Sequence, residues 1–426
     1  MSLLQRRTVR ELLAASAAPM HPDILKAAAA IVREVRERGA DALREYAHRF
    51  DGLTPETPLV IGQEELTNAL RNLEPHVRER LTRIANRIRT FAEGQRQALS
   101  TFEMEVPGGM AGHTIAPVQR AGCYAPGGRY PLPSSILMTA MTARAAGVKE
   151  VWVACSRRDP VMLACAALAA ADGFLGVGGA QAVAALAYGA EGVPACDLIV
   201  GPGNAYASAA KRVVFGDVGI DAIAGPSELV IVADASADAE RIAADLLAQA
   251  EHDPMAIPVL VSVSDRVVDA VNAELEAQLR ILPTAGVARL ALANGGAVVV
   301  HDESEAIDCC DELAPEHLHL QTASAMEIAP RFSNYGALFI GSDSAEVLGD
   351  YGAGPNHVLP TGRASRFSGG LSVFTFLRVR TWLRVDAEHD SAPLYDDTAW
   401  LARIEGLEAH ARAAELRLAS RQARVT

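Results

Sequence analysis

The adjacent pair Glu316 and His317 is the part of this sequence whose residue types most directly suggest catalysis. A carboxylate can activate a water molecule, and an imidazole can take or give a proton near neutral pH. Because neighbouring residues do not share a face, the two side chains would act on different atoms of a bound molecule. The pair indicates acid–base chemistry, although the same two residues could also be solvated side chains on a loop without a catalytic role.

A second pair, Gln249 and His252, is spaced to hold one ion. Both lie near the end of a predicted helix whose N-cap we place at Ser236. A separation of three residues puts both side chains on one helix face. Glutamine is an uncommon zinc ligand, and a histidine at a helix end is usually capped or solvated. From the pair alone, a metal site and an ordinary helix end are both possible interpretations.

Two further carboxylate–histidine pairs lie towards the C-terminus. Asp350 and His357 belong to segment 349–357, where three glycines and a proline disfavour a regular element. Polar residues on such loops often serve function, but a solvated surface loop fits as well. Glu405 and His410 fall five residues apart on a predicted helix, about 140° apart around its axis. They would flank a site rather than share one face, and alone they would be taken for surface residues.

Three loops are rich in glycine, namely residues 125–129, 176–181 and 201–204. The second and third each follow a predicted strand and precede a predicted helix, where backbone N–H groups can face a phosphate. Neither spells the GxGxxG motif, and Gln181 takes the place of its final glycine in the second. Nucleotide binding and simple tight turns are both open, and glycine loops after consecutive strands of one sheet favour the nucleotide.

The elements that must position these residues alternate along the chain. From residue 148 onward, short β-rich runs alternate with alanine-rich helical stretches, a pattern typical of parallel sheets covered on both faces. We predict two such sheets joined around Pro226, a long amphipathic helix over 66–97 and a charged helix over 395–419. The predicted strands are 148–154, 174–177, 197–200, 228–233, 257–263, 296–301, 317–321 and 336–340.

The predicted fold class is α/β, with two Rossmann-like parallel-sheet domains and small helical N- and C-terminal segments. The tail helix is polar on most faces, which predicts packing on another domain or subunit. We divide the chain into an N-terminal segment (1–16), a discontinuous first α/β domain (17–118 and 229–370), a second α/β domain with nucleotide-binding loops (119–228) and a C-terminal dimerisation segment (371–426).

Composition argues against several classes of protein. Among 426 residues, 39 are lysine or arginine and 52 are aspartate or glutamate, giving a formal net charge of −13. Such an acidic chain is a poor partner for nucleic acid. No run approaches the roughly eighteen apolar residues of a membrane span, and the N-terminus lacks a signal-peptide core, so we predict a cytoplasmic protein. The six cysteines are scattered without a CxxC pair, which indicates neither a thiolate zinc site nor a disulfide framework.

Taken together, these stretches resemble the histidinol dehydrogenase family along almost the whole chain. Each is weak by itself, but their number and order make coincidence a poor explanation. The matching segments are YAPGG (124–128), PSSILM (133–138), VGGAQA (177–182), GPGN (201–204), AGPSE (224–228), AQAEH (248–252), APEH (314–317), GDY (349–351), GPNHVLP (354–360) and EGLEAH (405–410).

The resemblance implies an enzyme that oxidises L-histidinol through L-histidinal to L-histidine, using NAD twice, in histidine biosynthesis. His317 would act as the acid–base that removes the alcohol proton, and Glu316 would activate water on the aldehyde. The implied zinc ligands, for one ion per subunit, are Gln249, His252, Asp350 and His410.

The same resemblance implies further binding residues and a partner. Members of the family are homodimers in which the C-terminal segment completes the partner's site. The implied dinucleotide contacts are Tyr124, Gln181 and Asn204. The implied substrate contacts are Ser227, His357 and Glu405, together with His317 and the four zinc ligands.

Three alternatives stay open. A related zinc- and NAD-dependent enzyme acts on another small alcohol, such as a sulfonated propanediol; Arg129 or Arg378 would then be candidate sulfonate partners, whereas Glu405 suits a cationic amino alcohol. A thiol mechanism would use Cys123, although nothing nearby in the sequence is placed to lower its pKa. A protein that binds metal or nucleotide without catalysis is the third, although every implied catalytic residue is present.

Overall fold

The chain folds into two compact units. The computed structural model describes residues 2–16, 20–128, 131–386 and 390–425. The large unit comprises Met1–Gly94 and Val118–Phe376, and the small unit comprises Gln95–Pro117 and Leu377–Thr426.

Helices occur along the whole described chain, and none of those in the described ranges is both long and apolar enough to cross a membrane. A short π-helix (Leu137–Met141) lies between the helix that ends at Ile136 and the helix that starts at Thr142. The helices are α1 (Val9–Ser16), α2 (Pro22–Arg38), α3 (Ala40–Asp51), α4 (Gln63–Asn72), α5 (Pro75–Gln97), α6 (Pro133–Ile136), α7 (Thr142–Ala146), α8 (Pro160–Leu168), α9 (Gly179–Tyr188), α10 (Ala205–Val214), α11 (Ala239–Ala250), α12 (Asp265–Leu279), α13 (Ala285–Leu292), α14 (Glu303–Leu313), α15 (Ala325–Ile328), α16 (Val347–Asp350), α17 (Ala392–Ile404) and α18 (Glu408–Val425).

Within the described residues the strands form three sheets, two of which are largely or wholly parallel, so the predicted α/β class with two parallel sheets is confirmed. The strands are β1 (Val60–Gly62), β2 (Phe102–Val106), β3 (Gly109–Pro117), β4 (Arg120–Tyr124), β5 (Glu150–Ala154), β6 (Gly173–Leu175), β7 (Leu198–Val200), β8 (Gly219–Ile220), β9 (Glu228–Ala233), β10 (Ile257–Ser262), β11 (Gly296–Val299), β12 (His317–Gln321), β13 (Ala337–Ile340) and β14 (Leu377–Val385).

The first sheet of the large unit carries the glycine loops. Its strand order is β1-β6-β5-β4-β7-β8, parallel except for β1, which pairs antiparallel with β6. The glycine-rich loops follow β4, β6 and β7, so they lie at the carboxyl edge of one sheet. Helices α9 and α10 follow the second and third loops and pack with α2 over a buried alanine- and valine-rich cluster.

One part of the predicted domain grouping is wrong. We grouped residues 17–118 with 229–370, but segment 22–62 packs on the first sheet. Val60–Gly62 is the edge strand that pairs with β6, and α2 packs against α9 and α10. The amphipathic pattern of this segment marks its apolar face but not which sheet that face covers. The other predicted domain boundaries stay predictions.

The second sheet has the order β11-β10-β9-β12-β13, and all its strands are parallel. Alternate residues of β9 reach opposite faces, as the two-residue period of a strand requires. Leu229 and Ile231 join a cluster with α11, α12 and α13, whereas Val230 and Val232 join one with α1, α14 and α15. Burial on both faces explains the unbroken apolar runs of these strands.

Two predicted helix features differ in the structure. The predicted helix over 66–97 is divided into α4 and α5, because Pro75 disfavours the helical conformation of the residue before it. The N-cap of α11 is Asp238 rather than Ser236, since the Asp238 carboxylate accepts the backbone N–H of Glu240. Gln249 still lies in the last turn of α11, and His252 follows its end.

The small unit contains strand as well as helix. Its antiparallel sheet has the order β14-β3-β2, with Leu377 to Val385 paired along the whole of β3. The predicted single helix over 395–419 is wrong, because α17 ends before Gly406 and α18 starts at Glu408. Gly406 has φ +77°, a left-handed conformation that favours glycine at a helix end.

Candidate active site

His317 is fixed with one ring nitrogen free to act as a base. It is the first residue of β12, and its Nδ1 lies 2.9 Å from the carbonyl oxygen of Glu228 on β9. Because a carbonyl only accepts, Nδ1 carries the proton and Nε2 keeps its lone pair. Burial lowers the pKa of His317 below its usual range, an effect that the Asp350 carboxylate opposes. The imidazole is therefore a neutral, oriented proton acceptor.

Glu316 is held by the same residue that holds His317. Its Oε2 accepts the backbone N–H of Glu228 at 2.9 Å and lies 3.7 Å from Nδ1 of His317. Burial raises the pKa of Glu316 well above its usual range, and the carboxylates of Glu228, Asp350 and Glu346 add to the rise. The main chain of Glu228 therefore orients both members of the predicted acid–base pair.

Two carboxylates from one short helix face His317. Glu346 precedes α16 and Asp350 ends it, and one ligand atom from each of these residues and from His317 lies within 4.8 Å of the others. Glu346 is 1% exposed, and its Oε1 lies 3.9 Å from Nε2 of His317. Burial and the charges of Asp350 and Asp245 raise the pKa of Glu346 to about 9. Acidic groups this close favour a cation between them.

Gln249 is fully buried at 0% exposure, and neither atom of its side-chain amide has a hydrogen-bond partner among the described residues. An unpaired buried amide is costly, so a group that pairs with it on binding is expected. Nearby in sequence, His252 places its Nε2 at 3.8 Å from Oδ2 of Asp350. The structure thus brings His252, Asp350 and His317 into one region.

His357 completes this region. Its Nδ1 donates to the main-chain carbonyl of Asp350 at 2.9 Å, and its Nε2 lies 3.5 Å from the hydroxyl of Ser135. Burial lowers the pKa of His357, which favours the neutral ring. We predicted no regular element over 349–357. The prediction is wrong for Asp350, because this residue ends α16, and it is confirmed for His357, which lies in no helix or strand.

The pocket beside these groups suits a small molecule. A cavity of about 330 Å³ opens at His252, with walls that include Leu81, Ile84 and Leu137 and the polar residue Ser134. A mostly apolar wall with a few polar groups is typical of small-ligand sites. Ser227 is half-buried and lies directly before Glu228, the first residue of β9, whose main chain holds the predicted acid–base pair.

Glu405 and His410 belong to the small unit, and both are exposed there. Glu405 caps the C-terminal end of α17, and His410 lies in the first turn of α18, on the other side of the Gly406 bend. The angle of about 140° expected on a single helix therefore does not apply. The side chains of both residues are open to solvent in the isolated chain.

The predicted nucleotide contacts lie at the glycine loops of the first sheet. Tyr124 ends β4, and its hydroxyl accepts the backbone N–H of Gly179 at 3.0 Å. Gln181 lies in the first turn of α9. Asn204 is the N-cap of α10, and its Oδ1 accepts the N–H groups of Tyr206 and Ala207 at 3.0 Å.

Two residues of the site were not predicted. Glu228 ends the AGPSE segment, so its position beside Ser227 was the available signal. Glu346 stands four residues before Asp350, the spacing of one helical turn, but the glycines that follow argued against a helix there.

Cys123 is unsuited to the thiol mechanism. It is 0% exposed, and burial raises the pKa of its thiol to about 12. The reactive form is the thiolate, which is scarce at neutral pH for such a group. The structure therefore argues against a thiohemiacetal at this position.

Residues 16–418 match the family model of histidinol dehydrogenase. The chain belongs to the histidinol dehydrogenase family. The histidinol dehydrogenase of Bordetella parapertussis is 44% identical over 419 residues, covering 97% of this chain and 95% of the relative. The histidinol dehydrogenase of Pseudomonas putida is 43% identical, covering 92% of this chain and 90% of the relative. The crystal structure of histidinol dehydrogenase from Elizabethkingia anophelis superposes with a TM-score of 0.92 at 28% identity, over 99% of both chains.

Membership in the histidinol dehydrogenase family confirms the predicted family and the predicted enzyme class, a dehydrogenase. The sulfonated-propanediol alternative is not favoured. Arg129 lies outside the described residues, and the Arg378 guanidinium donates to the carbonyl of Pro117 within the small unit.

Proposed function

We propose that this member of the histidinol dehydrogenase family oxidises L-histidinol through L-histidinal to L-histidine, with two molecules of NAD as hydride acceptors. The observation that carries the proposal is the arrangement of Glu316 and His317, both buried and both held by the main chain of Glu228. An alcohol-to-acid oxidation needs a base for the alcohol and a second base for water, and this pair supplies both.

In the first oxidation, His317 takes the proton of the substrate hydroxyl on Nε2 while the hydride leaves the carbon. Three features prepare the ring for this step: Nδ1 is hydrogen-bonded to the Glu228 carbonyl, burial keeps the ring neutral, and Nε2 lies 3.9 Å from Oε1 of Glu346. NAD, when bound, accepts the hydride. The products of this step are the aldehyde, NADH and a protonated His317.

In the second oxidation, Glu316 takes a proton from water as the water oxygen bonds to the aldehyde carbon, and the protonated His317 returns its proton to the aldehyde oxygen. The hydrate that results loses a second hydride and a proton and becomes the carboxylic acid. Because burial raises the pKa of Glu316, the ionised form of this side chain is a stronger base than an exposed carboxylate, and its bond from the Glu228 N–H fixes its direction. The neighbouring His317 can receive the proton that the hydrate releases.

We further propose that Gln249, His252, Asp350 and His410 hold one Zn²⁺ per subunit. The unpaired amide of Gln249 and the approach of His252 to Asp350 fit such a role, since an amide oxygen, imidazoles and a carboxylate are ligands that zinc accepts. Zinc, when bound, would hold the ring and amino nitrogens of histidinol and so keep the aldehyde in place between the two oxidations.

The substrate contacts that we propose are Ser227, His357 and Glu405, together with His317 and the zinc ligands. A carboxylate such as Glu405 suits a cationic amino alcohol. Because Glu405 and His410 are exposed in the isolated chain, they are available to a second copy. We propose a homodimer in which the small unit of one subunit completes the site of its partner.

For the dinucleotide we propose contacts with Tyr124, Gln181 and Asn204. Since the Tyr124 oxygen already accepts the Gly179 N–H, its hydroxyl proton is available to a cofactor oxygen. The Asn204 carbonyl is used in capping α10, which leaves its NH₂ as the available group. A role in histidine biosynthesis also predicts a cytoplasmic location, which cell fractionation would test.

The test is the yield of NADH per histidine from purified chain with zinc, L-histidinol and NAD. Two NADH per histidine, lost on chelation and restored by zinc, is the expected result. No NADH from histidinol while zinc remains bound would refute the proposed substrate and would direct the assay to other small alcohols, including the sulfonated propanediol.

A further inference from the structure

Asp51 reaches into the second glycine loop from a distant part of the chain. It is the last residue of α3, and its Oδ1 accepts the backbone N–H of Gly178 at 3.2 Å. Its Oδ2 accepts the side-chain Nε2 of Gln181 at 3.1 Å. One carboxylate therefore binds both the residue that precedes α9 and a side chain of its first turn.

The bond from Asp51 fixes which end of the Gln181 amide is free. With Nε2 donating to Asp51, the amide presents Oε1 on its other side, over Gly179. A Cβ on Gly179 would lie 2.9 Å from that oxygen, and Gly179 has φ +64°. Only glycine fits this close approach without strain. In this arrangement of the loop, the Gln181 side chain offers its Oε1 as a hydrogen-bond acceptor.

The electrostatic setting keeps Asp51 in this position. The N-terminus of a helix carries partial positive charge, which favours a carboxylate beside it. The guanidinium of Arg158 lies close enough to act on Asp51, and it is itself held by the carbonyls of Pro58 and Gly176. Burial raises the pKa of Asp51, and the two hydrogen bonds from the loop and the charge of Arg158 oppose that rise.

We propose that Asp51 is a positioning residue of the dinucleotide site: it orients Gln181 so that Oε1 accepts a hydrogen bond from the cofactor, as expected for a ribose hydroxyl. The inference rests on the proposed role of Gln181 in binding NAD. Asp51 itself donates nothing to the cofactor and acts through Gln181 and the Gly178 backbone.

The first test is Asp51→Asn. Asparagine can accept from Gly178 with its oxygen, but its NH₂ group then faces the NH₂ group of Gln181. Gln181 relieves this clash by turning its amide, which presents a donor where an acceptor was. We expect the KM for NAD and the directly measured Kd for NADH to rise about tenfold or more, as for a buried hydroxyl that is left facing a donor and without its acceptor. At saturating NAD, kcat should stay within about twofold, and the KM for histidinol and the zinc content should not change.

A compensating variant separates positioning from loss of structure. In the double variant Asp51→Asn with Gln181→Glu, the NH₂ group introduced at position 51 faces a carboxylate oxygen, and the other oxygen of that carboxylate is again an acceptor. We expect the double variant to recover most of the NADH affinity lost in Asp51→Asn. The control is Asp172→Asn, at the residue directly before β6 of the same sheet, since Asp172 also accepts a backbone N–H, that of Val151, and a side-chain donor, Arg144. The control should leave the NADH Kd unchanged.

The outcomes distinguish this inference from the proposed function. An unchanged NADH Kd in Asp51→Asn, or a double variant that is no better than the single one, would overturn the role of Asp51. If the native chain formed no NADH from histidinol, the substrate assignment would fail, but the binding measurements would still decide whether Asp51 positions Gln181. The single variant Asp51→Asn would fail to fold in this experiment only if Asp51 is needed for the loop itself. In that case, a double variant that folds but does not bind NADH also counts against the proposal.

Discussion

Because of Glu228, the free energy of unfolding of the native chain should fall as pH rises. The variant Glu228→Gln should not show this fall. Glu228 starts β9, is 7% exposed, and its Oε1 accepts the backbone N–H of Gly362 at 3.1 Å. Burial raises the pKa of Glu228 from 4.5 to about 7, and backbone hydrogen bonds at Gly362 and Glu316 oppose the rise. Glutamine keeps the shape and can still accept from Gly362, but it has no proton to lose.

The sign follows from proton binding. Between pH 4.5 and about 7, the folded chain keeps a proton on Glu228 that the unfolded chain has lost. The free energy of unfolding is therefore largest at low pH and falls as pH rises through this window. The full effect is about 3 kcal/mol, and most of it falls between about pH 5 and pH 8. Relative to the native chain, Glu228→Gln should gain this amount of stability over the same interval.

The assay is urea unfolding of both chains, freed of metal by a chelator, at about four pH values from roughly 5 to 8. The informative quantity is the difference in free energy of unfolding between the variant and the native chain, because titrating groups that do not interact with Glu228 cancel in it. Glu79→Gln, on an exposed position of α5, is the matched control and should give a constant difference. A constant difference for Glu228→Gln, or one that falls as pH rises, would refute the reasoning.

Three further predictions concern the site. His317→Asn should lower kcat by roughly 10²- to 10⁴-fold with zinc retained, as loss of a proton acceptor requires; equal rates of NADH formation would contradict it. Gln249→Leu should raise the stability of the zinc-free chain, since it removes an unpaired buried amide, yet weaken zinc binding measured by competition with a chelator. Cys123→Ala should keep full dehydrogenase activity, because the buried thiol has its pKa raised to about 12; a large loss in steady-state rate would reopen the thiol mechanism.

The family motifs and the main elements could be predicted from the sequence because they depend on neighbouring residues. The apolar runs of β9 and β12 and the helix that carries Gln249 follow from local periodicity and were confirmed. Where a local signal was overlooked, the prediction was wrong: Pro75 divides one predicted helix, and Gly406 divides another.

The surroundings of the site residues could not be predicted in this way. The bond that selects the tautomer of His317 joins residues 89 positions apart, and the bond that orients Gln181 spans 130 positions. Likewise, Glu346 faces His317 only because α16 returns after β13 to the amino ends of β9 and β12. No spacing rule connects such residues, since their distance depends on how the sheets order their strands.

By itself the sequence determined the family, the α/β class and the residue types available for chemistry, because these depend on composition, order and local period. Only the tertiary structure decided which nitrogen of His317 is free, why the Gln249 amide has no partner among the described residues, and which carboxylates surround them. The physical reason is that proton affinity and hydrogen-bond direction depend on burial and on the groups within a few ångströms, most of which come from remote segments.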